Sequence, residues 1–507
     1  MQKIEKYDIF EIKLPGADAR VELTQPSAVF SLGDASYEIQ GFCENETEGI
    51  IRFMPNKEGV WKFKAQFADQ AREGSFECIS NTGNNHGPVV ADGCHFRYAD
   101  GERYIPMGTT CYAWVHQNRE LVAQTIETLK TAPFNKIRMC VFPKSMPFNE
   151  NEPLWFPFEK KADGTWDVSK PVSEFWKNLE DCIKQLSELG IESDLILFHP
   201  YDRWGFSTMS REDCLTYLDY CIRRLSAYRN IWWSLANEYQ FLFSKTIEDW
   251  DSFGEKVAND DSYNHLIGVH NWVELYPKRP WLTHVSMQTS DLPSVFRARD
   301  EYILPVMLDE YGYEGNLAFD WGNCSGFEFM DRTWKAVCFG CYCTHGETFY
   351  RDDEVLWWAK GGKLYGETPK RLAYLHDLLR SLPGPMEPLA SDAIRDPNAM
   401  STSPQHAAFL KRLLETVSEK GREQIISELT KPIGRHTDYR LQYFGRTCPI
   451  YADVLLSENG SYKIETIDIW EMKRNVVLEN ASGQLRVPLP GKEGIAMLIT
   501  RLSGDDL

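Results

Sequence analysis

A chain of 507 residues that is 43% hydrophobic and 25% charged has ordinary globular composition, with length for about three domains of roughly 150 residues or one large barrel with smaller companions. Its net charge of −19, without any Lys/Arg-rich run, speaks against nucleic acid as a partner, because phosphate binding needs a concentrated basic surface. No apolar run approaches the roughly 20 residues of a membrane crossing, the opening Met1-Gln2-Lys3 leads into no apolar leader, and the 13 cysteines are scattered, so a cytoplasmic protein with reduced core thiols and no membrane partner is expected.

Residues 1–85 read as β. Apolar and polar residues alternate over 61–67, which lines one face of a half-buried strand, and Asn56-Lys57-Glu58-Gly59 supplies the turn before it. Shorter strands are expected at 21–23 and 50–53, giving a small β-sandwich, and the Asn- and Gly-rich stretch 80–87 reads as a linker. From about 95 to 383 short apolar strands alternate with amphipathic helices, the rhythm of parallel βαβ units. The strands begin near Tyr104, Lys136, Glu192, Asn230, His265, Thr283, Ile303 and Val337. Phe175, Leu179, Ile183, Leu186 and Leu189 recur at helical spacing before Gly190, and Ser210 with Asp213 forms a capping pair before another such run. Eight strands in roughly 290 residues predict an α/β fold of the (β/α)₈ TIM-barrel type over 86–384. A doubly wound sheet is the alternative, but no Gly-rich phosphate loop follows the first strand. A helix carrying Phe409, Leu410, Leu413, Leu414 and Val417 is expected to end at Gly421. Strands at 441–444, 452–456, 462–470, 485–489 and 495–500, with Asn459-Gly460 as a tight turn, then complete a second β-sandwich over 385–507.

In a barrel the reactive groups sit where strands end at the C-terminal face. The run 231–236 ends in Asn237-Glu238-Tyr239, and 304–308 ends in Asp309-Glu310-Tyr311-Gly312. Two carboxylates facing one another across a cleft are what glycosidic cleavage requires: one protonates the leaving oxygen, the other meets the charge developing at the anomeric carbon. Either residue alone is as readily a helix N-cap or a surface charge. Tyr112, Trp114, Trp204, Tyr311 and Trp321 are candidate platforms for a sugar face, or simply core. Cys338, Cys341, Cys343 and His345 could be drawn as a zinc site. On one strand, however, position 338 would face away from the others, so small residues lining the barrel interior are the better account of Gly340, Cys341 and Cys343. Cys111 as a nucleophile has no recognisable partner motif.

Asn-Glu closing strand four and Glu closing strand seven resemble the signature of clan A glycoside hydrolases, retaining barrels that keep acid/base and nucleophile at those two ends. Asn135-Lys136-Ile137-Arg138 resembles the second-strand arginine of family five, and Phe198-His199-Pro200 its third-strand histidine. His86-Gly87-Pro88, the segments 96–101 and 105–110, the segment 191–206 with His199-Pro200-Tyr201-Asp202-Arg203-Trp204, and the tail at 485–489 are similar to apiosidase-like bacterial glycosidases, in which an N-terminal sandwich precedes the barrel. The resemblance implies Glu238 as general acid/base, Glu310 as nucleophile, Asn237 on the sugar 2-hydroxyl and Arg138 holding the nucleophile ionised, a salt bridge from strand two to a neighbour being the alternative for Arg138. His199 and Asp202 at the third strand end either bind sugar hydroxyls or only stabilise their loop. It implies a carbohydrate substrate, no metal and no organic cofactor. It also predicts carboxyl groups about 5 to 5.5 Å apart. Family five places His-x-Tyr at the sixth strand end and Trp on the eighth. Here stand His284-Val285-Ser286-Met287-Gln288 and Thr344-His345-Gly346-Glu347, so Gln288, Tyr311 or His345 is expected to replace the tyrosine, with Glu347 as a third acid. The expected function is a retaining glycosidase, exo-acting on short glycosides because 145–170 can wall off one end of the cleft. A transglycosylase using the same site and a non-catalytic carbohydrate-binding protein are the alternatives, and a homo-oligomer is left open.

Overall fold

The computed structural model describes residues 1–15, 25–45, 48–389 and 404–507. The N-terminal sandwich packs a five-stranded sheet (Lys3–Glu5, Gln70–Ile79, Gly59–Phe67, Ser27–Leu32 and Ala35–Gln40, in spatial order) on a three-stranded one made of Phe10–Pro15, Glu48–Phe53 and Phe42–Asn45. Alternation works as read: Trp61, Phe63, Ala65 and Phe67 point inward and Lys62, Lys64 and Gln66 outward. The core is phenylalanine-rich, with Phe10 stacked on Phe76 at 4.1 Å and Phe30 on Phe53 at 4.2 Å. The strand expected at 21–23 lies outside the described residues.

The middle of the chain is the (β/α)₈ barrel. Its strands are β1 (Met107–Thr110), β2 (Lys136–Cys140), β3 (Glu192–Phe198), β4 (Ile231–Ala236), β5 (Ile267–Gly268), β6 (Val285–Gln288), β7 (Val306–Glu310) and β8 (Tyr342–His345). Ladder neighbours run parallel, β1 pairs with β8, and a parallel bridge from His270 to Ser286 closes the gap between β5 and β6. Helices α1 (Arg119–Leu129), α2 (Ser173–Glu188), α3 (Arg211–Leu225), α4 (Ile247–Asp260), α5 (Ser294–Tyr302), α6 (Gly326–Cys338) and, beyond a short turn of helix, α7 (Thr368–Ser381) surround it. The capping signals hold: the Ser210 hydroxyl accepts from Asp213 N–H at 3.0 Å, and Gly190 takes φ +71° just past α2.

One strand start differs. Val337 lies in α6, not at the head of β8, which begins five residues later. Phe329, Met330, Thr333, Trp334 and Val337 bury one broad helical face behind a Ser325 N-cap. The flanking Ala336 and Cys338 are buried too, because α6 is covered by the barrel on one side and the C-terminal sheet on the other. Such a helix reads as an unbroken apolar run, which mimics a buried strand. Cys338 therefore ends a helix, and Cys341 and Cys343 pack in the layer between barrel and helices rather than lining the interior.

The hairpin Val89–Asp92/His95–Tyr98 covers the N-terminal end of the barrel. Phe96 enters it, 5.1 Å from Trp232, 5.4 Å from Tyr342 and 6.1 Å from His284. After α7 come two helices, Pro404–Thr416 and Glu419–Leu429. The second is capped by Ser418, whose hydroxyl accepts from Gly421 N–H, so Gly421 opens a helix instead of closing one. The C-terminal domain is a six-stranded sheet facing the pair Tyr451–Leu455/Gln484–Pro488. The Asn459-Gly460 turn joins strands of different sheets, so it makes no hairpin. Among the described residues no helix is long and apolar enough to cross a membrane.

Candidate active site

Period-two alternation aims Lys136 and Arg138 of β2, Asp194 of β3 and Asp309 of β7 into the barrel, where all four are buried. Lys136 Nζ lies 2.6 Å from Asp194 and 3.2 Å from Asp309, and Arg138 Nε lies 3.7 and 3.9 Å from the same two carboxylates. Asp309 also accepts from Ser286 Oγ and Thr344 Oγ1, each at 2.6 Å. Burial alone would raise the Asp309 carboxyl, but Lys136 and Arg138 outweigh it and hold the group far below its usual range. Two cations and two anions thus form a buried ionic floor beneath the mouth, in which Arg138 Nε and Nη1 have ion-pair neighbours but, like Asp194 Oδ1, no hydrogen-bond partner among the described residues.

Glu310 and Glu238 stand on that floor. Arg138 Nη1 lies 3.5 Å from Glu310 Oε1, His270 Nε2 lies 3.9 Å from the same oxygen, and the Tyr112 hydroxyl donates to it. Burial, then Arg138, push His270 down to about 4, so its ring is neutral. Glu238 leaves the end of β4 with φ +46°, a left-handed conformation costing a non-glycine residue on the order of 1 kcal/mol, the kind of strain found at functional sites. That turn points its N–H at His270 Nδ1, 3.3 Å away, and brings its carboxylate to the Tyr201 hydroxyl and, at 3.0 Å, to Asn237 Nδ2, which both donate to Oε2. Asn237 Oδ1 accepts from Arg138 Nη2 at 3.1 Å and lies 3.2 Å from the Tyr112 hydroxyl, so this amide ties the two carboxylates together. Burial and the Glu310 charge raise Glu238 to about 7 against the opposing pull of Tyr201, Lys144 and Arg138. Lys144 is buried with Nζ 3.3 Å from the Tyr112 ring centre and 4.2 Å from that of Tyr201, one cation shared by the two tyrosines that serve the two carboxylates.

Other residues singled out from the sequence go elsewhere. Tyr311 turns outward, its hydroxyl 2.9 Å from Thr333 of α6 and its ring 4.8 Å from Phe329. Trp114 is fully buried with Nε1 on Met139 Sδ, which leaves no face for a sugar. Asp202 accepts backbone N–H groups from Trp204 at 2.8 Å and Ser207 at 2.6 Å, so its carboxylate organises its own loop. His199 is buried, with Nε2 3.1 Å from the Phe142 carbonyl, and burial pushes it down to about 3. Trp204 is half-buried, bonded through Nε1 to Glu152 and 5.8 Å from Phe156, where 145–170 packs on the loop after β3. Trp321 is 36% exposed on the rim and stacks on Phe319. Gln288 is paired in register with Glu310, and its Oε1 is buried without a partner among the described residues.

His345 and Glu347 form a separate cluster with Glu314, one ligand atom of each lying within 4.8 Å of the others. That donor set could hold a metal ion; its two carboxylates are engaged by backbone N–H groups, while His345 Nε2 is buried without a hydrogen-bond partner among the described residues. Glu347 accepts from Tyr365 and Gly366 N–H, Glu314 accepts from Glu367 and Thr368 N–H, and His345 Nδ1 lies 3.1 Å from Thr109 Oγ1. Burial lifts Glu347 to about 7, so a proton can balance the pair. His345 stacks on Phe134 in the barrel–helix layer, and neither residue hydrogen-bonds to Glu238 or Glu310.

Sequence reasoning named the two carboxylates, Asn237 and Arg138, and named Tyr112 only as a stacking platform. It missed Tyr201, Lys144, His270 and the floor of Lys136, Asp194 and Asp309. The i, i+2 spacing of Lys136 and Arg138, two cations on one face of a buried strand, was the available signal.

The model of the apiosidase-like catalytic domain matches residues 91–376, and two domains of unknown function, DUF5060 and DUF5605, match residues 3–68 and 430–500. A candidate glycoside hydrolase from Bacteroides vulgatus ATCC 8482 is 32% identical with a TM-score of 0.85, covering 99% of this chain and 100% of its own. A family 5 glycoside hydrolase from the same organism is 15% identical with a TM-score of 0.60, covering 82% of this chain and 93% of its own, which speaks for shared fold. No curated protein matches. With a family match across the whole barrel and a 32% identical relative along its full length, the chain belongs to the apiosidase-like catalytic domain family and is a glycosidase.

Proposed function

We propose that the protein is a retaining, exo-acting glycosidase in which Glu310 attacks the anomeric carbon while Glu238 protonates the departing oxygen, and in which Glu238 then deprotonates the water that frees the sugar. The observation that carries this reading is the unequal treatment of two neighbouring carboxylates. Glu238 is buried, strained and lifted to about 7, fit to hold a proton at neutral pH, while Glu310 faces Arg138, the Tyr112 hydroxyl and a neutral His270. Asn237, bonded to Glu238 and to Arg138, fixes the pair and carries the 2-hydroxyl contact. Exo action is supported by the 145–170 segment, whose hairpin Phe158–Lys160/Trp166–Pro171 stacks Trp166 on Phe206 at 4.4 Å and walls one side of the mouth.

The test is a panel of α- and β-aryl glycosides, pyranosides and furanosides, assayed with wild type, Glu310→Gln and Glu238→Gln. Loss of about 10³-fold or more in kcat is expected for Glu310→Gln, and NMR of the first-released sugar should show the substrate's own anomeric configuration. Equal turnover by Glu310→Gln removes the nucleophile assignment, and an inverted first product removes the double displacement.

A further inference from the structure

Beside the carboxylate pair lies a cleft of about 400 Å³, within the size range of small-molecule pockets. Tyr201, Ser207, Thr208, Phe241, Phe243 and Ser244 line it, and no charged side chain does. Its connection to the chemistry is direct. Tyr201, whose hydroxyl bonds Glu238, lines it, and so do Phe241 to Ser244, at and after the end of the turn Tyr239–Phe241 that begins immediately behind Glu238.

The rim is unusually apolar for a surface. Phe243 is 88% exposed, Trp272 47% and Val273 66%. The Phe241 and Trp272 rings are 4.7 Å apart, Phe243 is 6.4 Å from Phe241, and Gln240 Oε1 accepts from Trp272 N–H at 2.7 Å, which ties the loops after β4 and β5 into one platform. Exposed aromatics grouped at a cleft mark a binding face, since single exposed rings need no explanation but a cluster costs solvation until something covers it.

We propose that this cleft is the leaving-group subsite and that it takes an uncharged group with an apolar face, a neutral pyranose ring or an aryl aglycone. The inference rests on Glu238 as the acid: Glu238 is not itself part of the lining, but it is bonded to Tyr201 and precedes the turn that carries Phe241, so a group attached to the oxygen it protonates would extend toward the cleft. The lining then states the chemistry: hydroxyls for hydrogen bonds, rings for stacking, and no cation to receive a carboxylate, sulfate or phosphate.

The test compares two substrates built on whichever sugar the panel identifies, the 4-nitrophenyl glycoside and the glycosyl fluoride, which has nothing to place in the cleft. For Phe243→Ala and Trp272→Ala, both exposed positions, the ratio of kcat/KM on the nitrophenyl glycoside to that on the fluoride should fall about tenfold, mostly through KM. A 4-carboxyphenyl glycoside should react more slowly than its neutral methyl ester with wild type, by more than the difference in leaving-group acidity gives. An unchanged ratio in both variants overturns the subsite while leaving the carboxylate pair intact. Equal turnover of an alkyl glycoside of that sugar by wild type and Glu238→Gln would instead remove Glu238 as the acid, and this subsite with it.

Discussion

At Glu238 a proton is contested: burial and the Glu310 charge hold it on, while Tyr201, Lys144 and Arg138 pull it away. In the proposed mechanism the first step needs Glu238 protonated, so kcat/KM should fall as pH rises through about 7. Tyr201→Phe and Lys144→Met each remove an influence that lowers this group, so each should move the alkaline limb to higher pH, by on the order of half to one unit, with Lys144→Arg closer to wild type. A limb that stays in place or moves down would show that Glu238 is not the group titrating. The carboxylates were legible because barrel geometry sends strand ends to one face. Their tyrosines were not, since Tyr112 and Tyr201 reach them from loops whose meeting is set by three-dimensional closure. Tyr311 and His345 were misplaced for local reasons: a register shift at the end of β7 lets Asp309 and Glu310 both face the site and leaves Tyr311 turned outward, and alternation turns His345 away from Thr344, which points at Asp309.

Between elements, the N-terminal sandwich is fixed to the barrel by buried charge. Arg52, on the strand Glu48–Phe53, meets Glu180 of α2 at 2.6 Å and the Arg224 carbonyl of α3 at 2.8 Å, while Arg224 reaches Glu180 at 2.5 Å and Glu44 at 2.9 Å. Burial would raise Glu180, yet the two guanidinium groups hold it below its ordinary value. Arg52→Met strips one cation from this cluster and should cost about 3–5 kcal/mol, read from denaturant unfolding, and Glu180→Met added to it should recover part of the loss. A single variant within about 0.5 kcal/mol of wild type would mean that water already compensates these groups. None of this was visible in the sequence, because partners 128 and 172 positions apart share no local pattern. The helices themselves were legible where a cap and a one-sided apolar stripe coincide, as in α2 and α3. They were misread where a helix is buried on two sides, as in α6.

Across the whole molecule the apolar core is unequally divided. The N-terminal sandwich has its own cluster, whereas Tyr439, Leu441, Tyr443, Ile467 and Leu498 of the C-terminal sheet belong to the same core as the barrel helices. The Tyr443 hydroxyl bonds Asp331 of α6 at 2.8 Å, and the Arg371 guanidinium lies 3.3 Å from the centre of the Trp470 ring. Removing residues 385–507 should therefore yield insoluble protein, or soluble protein with strong ANS fluorescence and a lost near-ultraviolet dichroism signal. A truncated chain that melts where the full chain does would show that the barrel core closes without the sheet. The Phe96 hairpin carries a different consequence. With its lower opening corked, the barrel is a cup with one mouth, and nothing can be threaded through it. Under the proposed double displacement, the fragment shed first would have to back out of that mouth before water could take its place. Turnover on such an enzyme is a sequence of exits through a shared door, and a slow-departing first fragment would hold that door against the second.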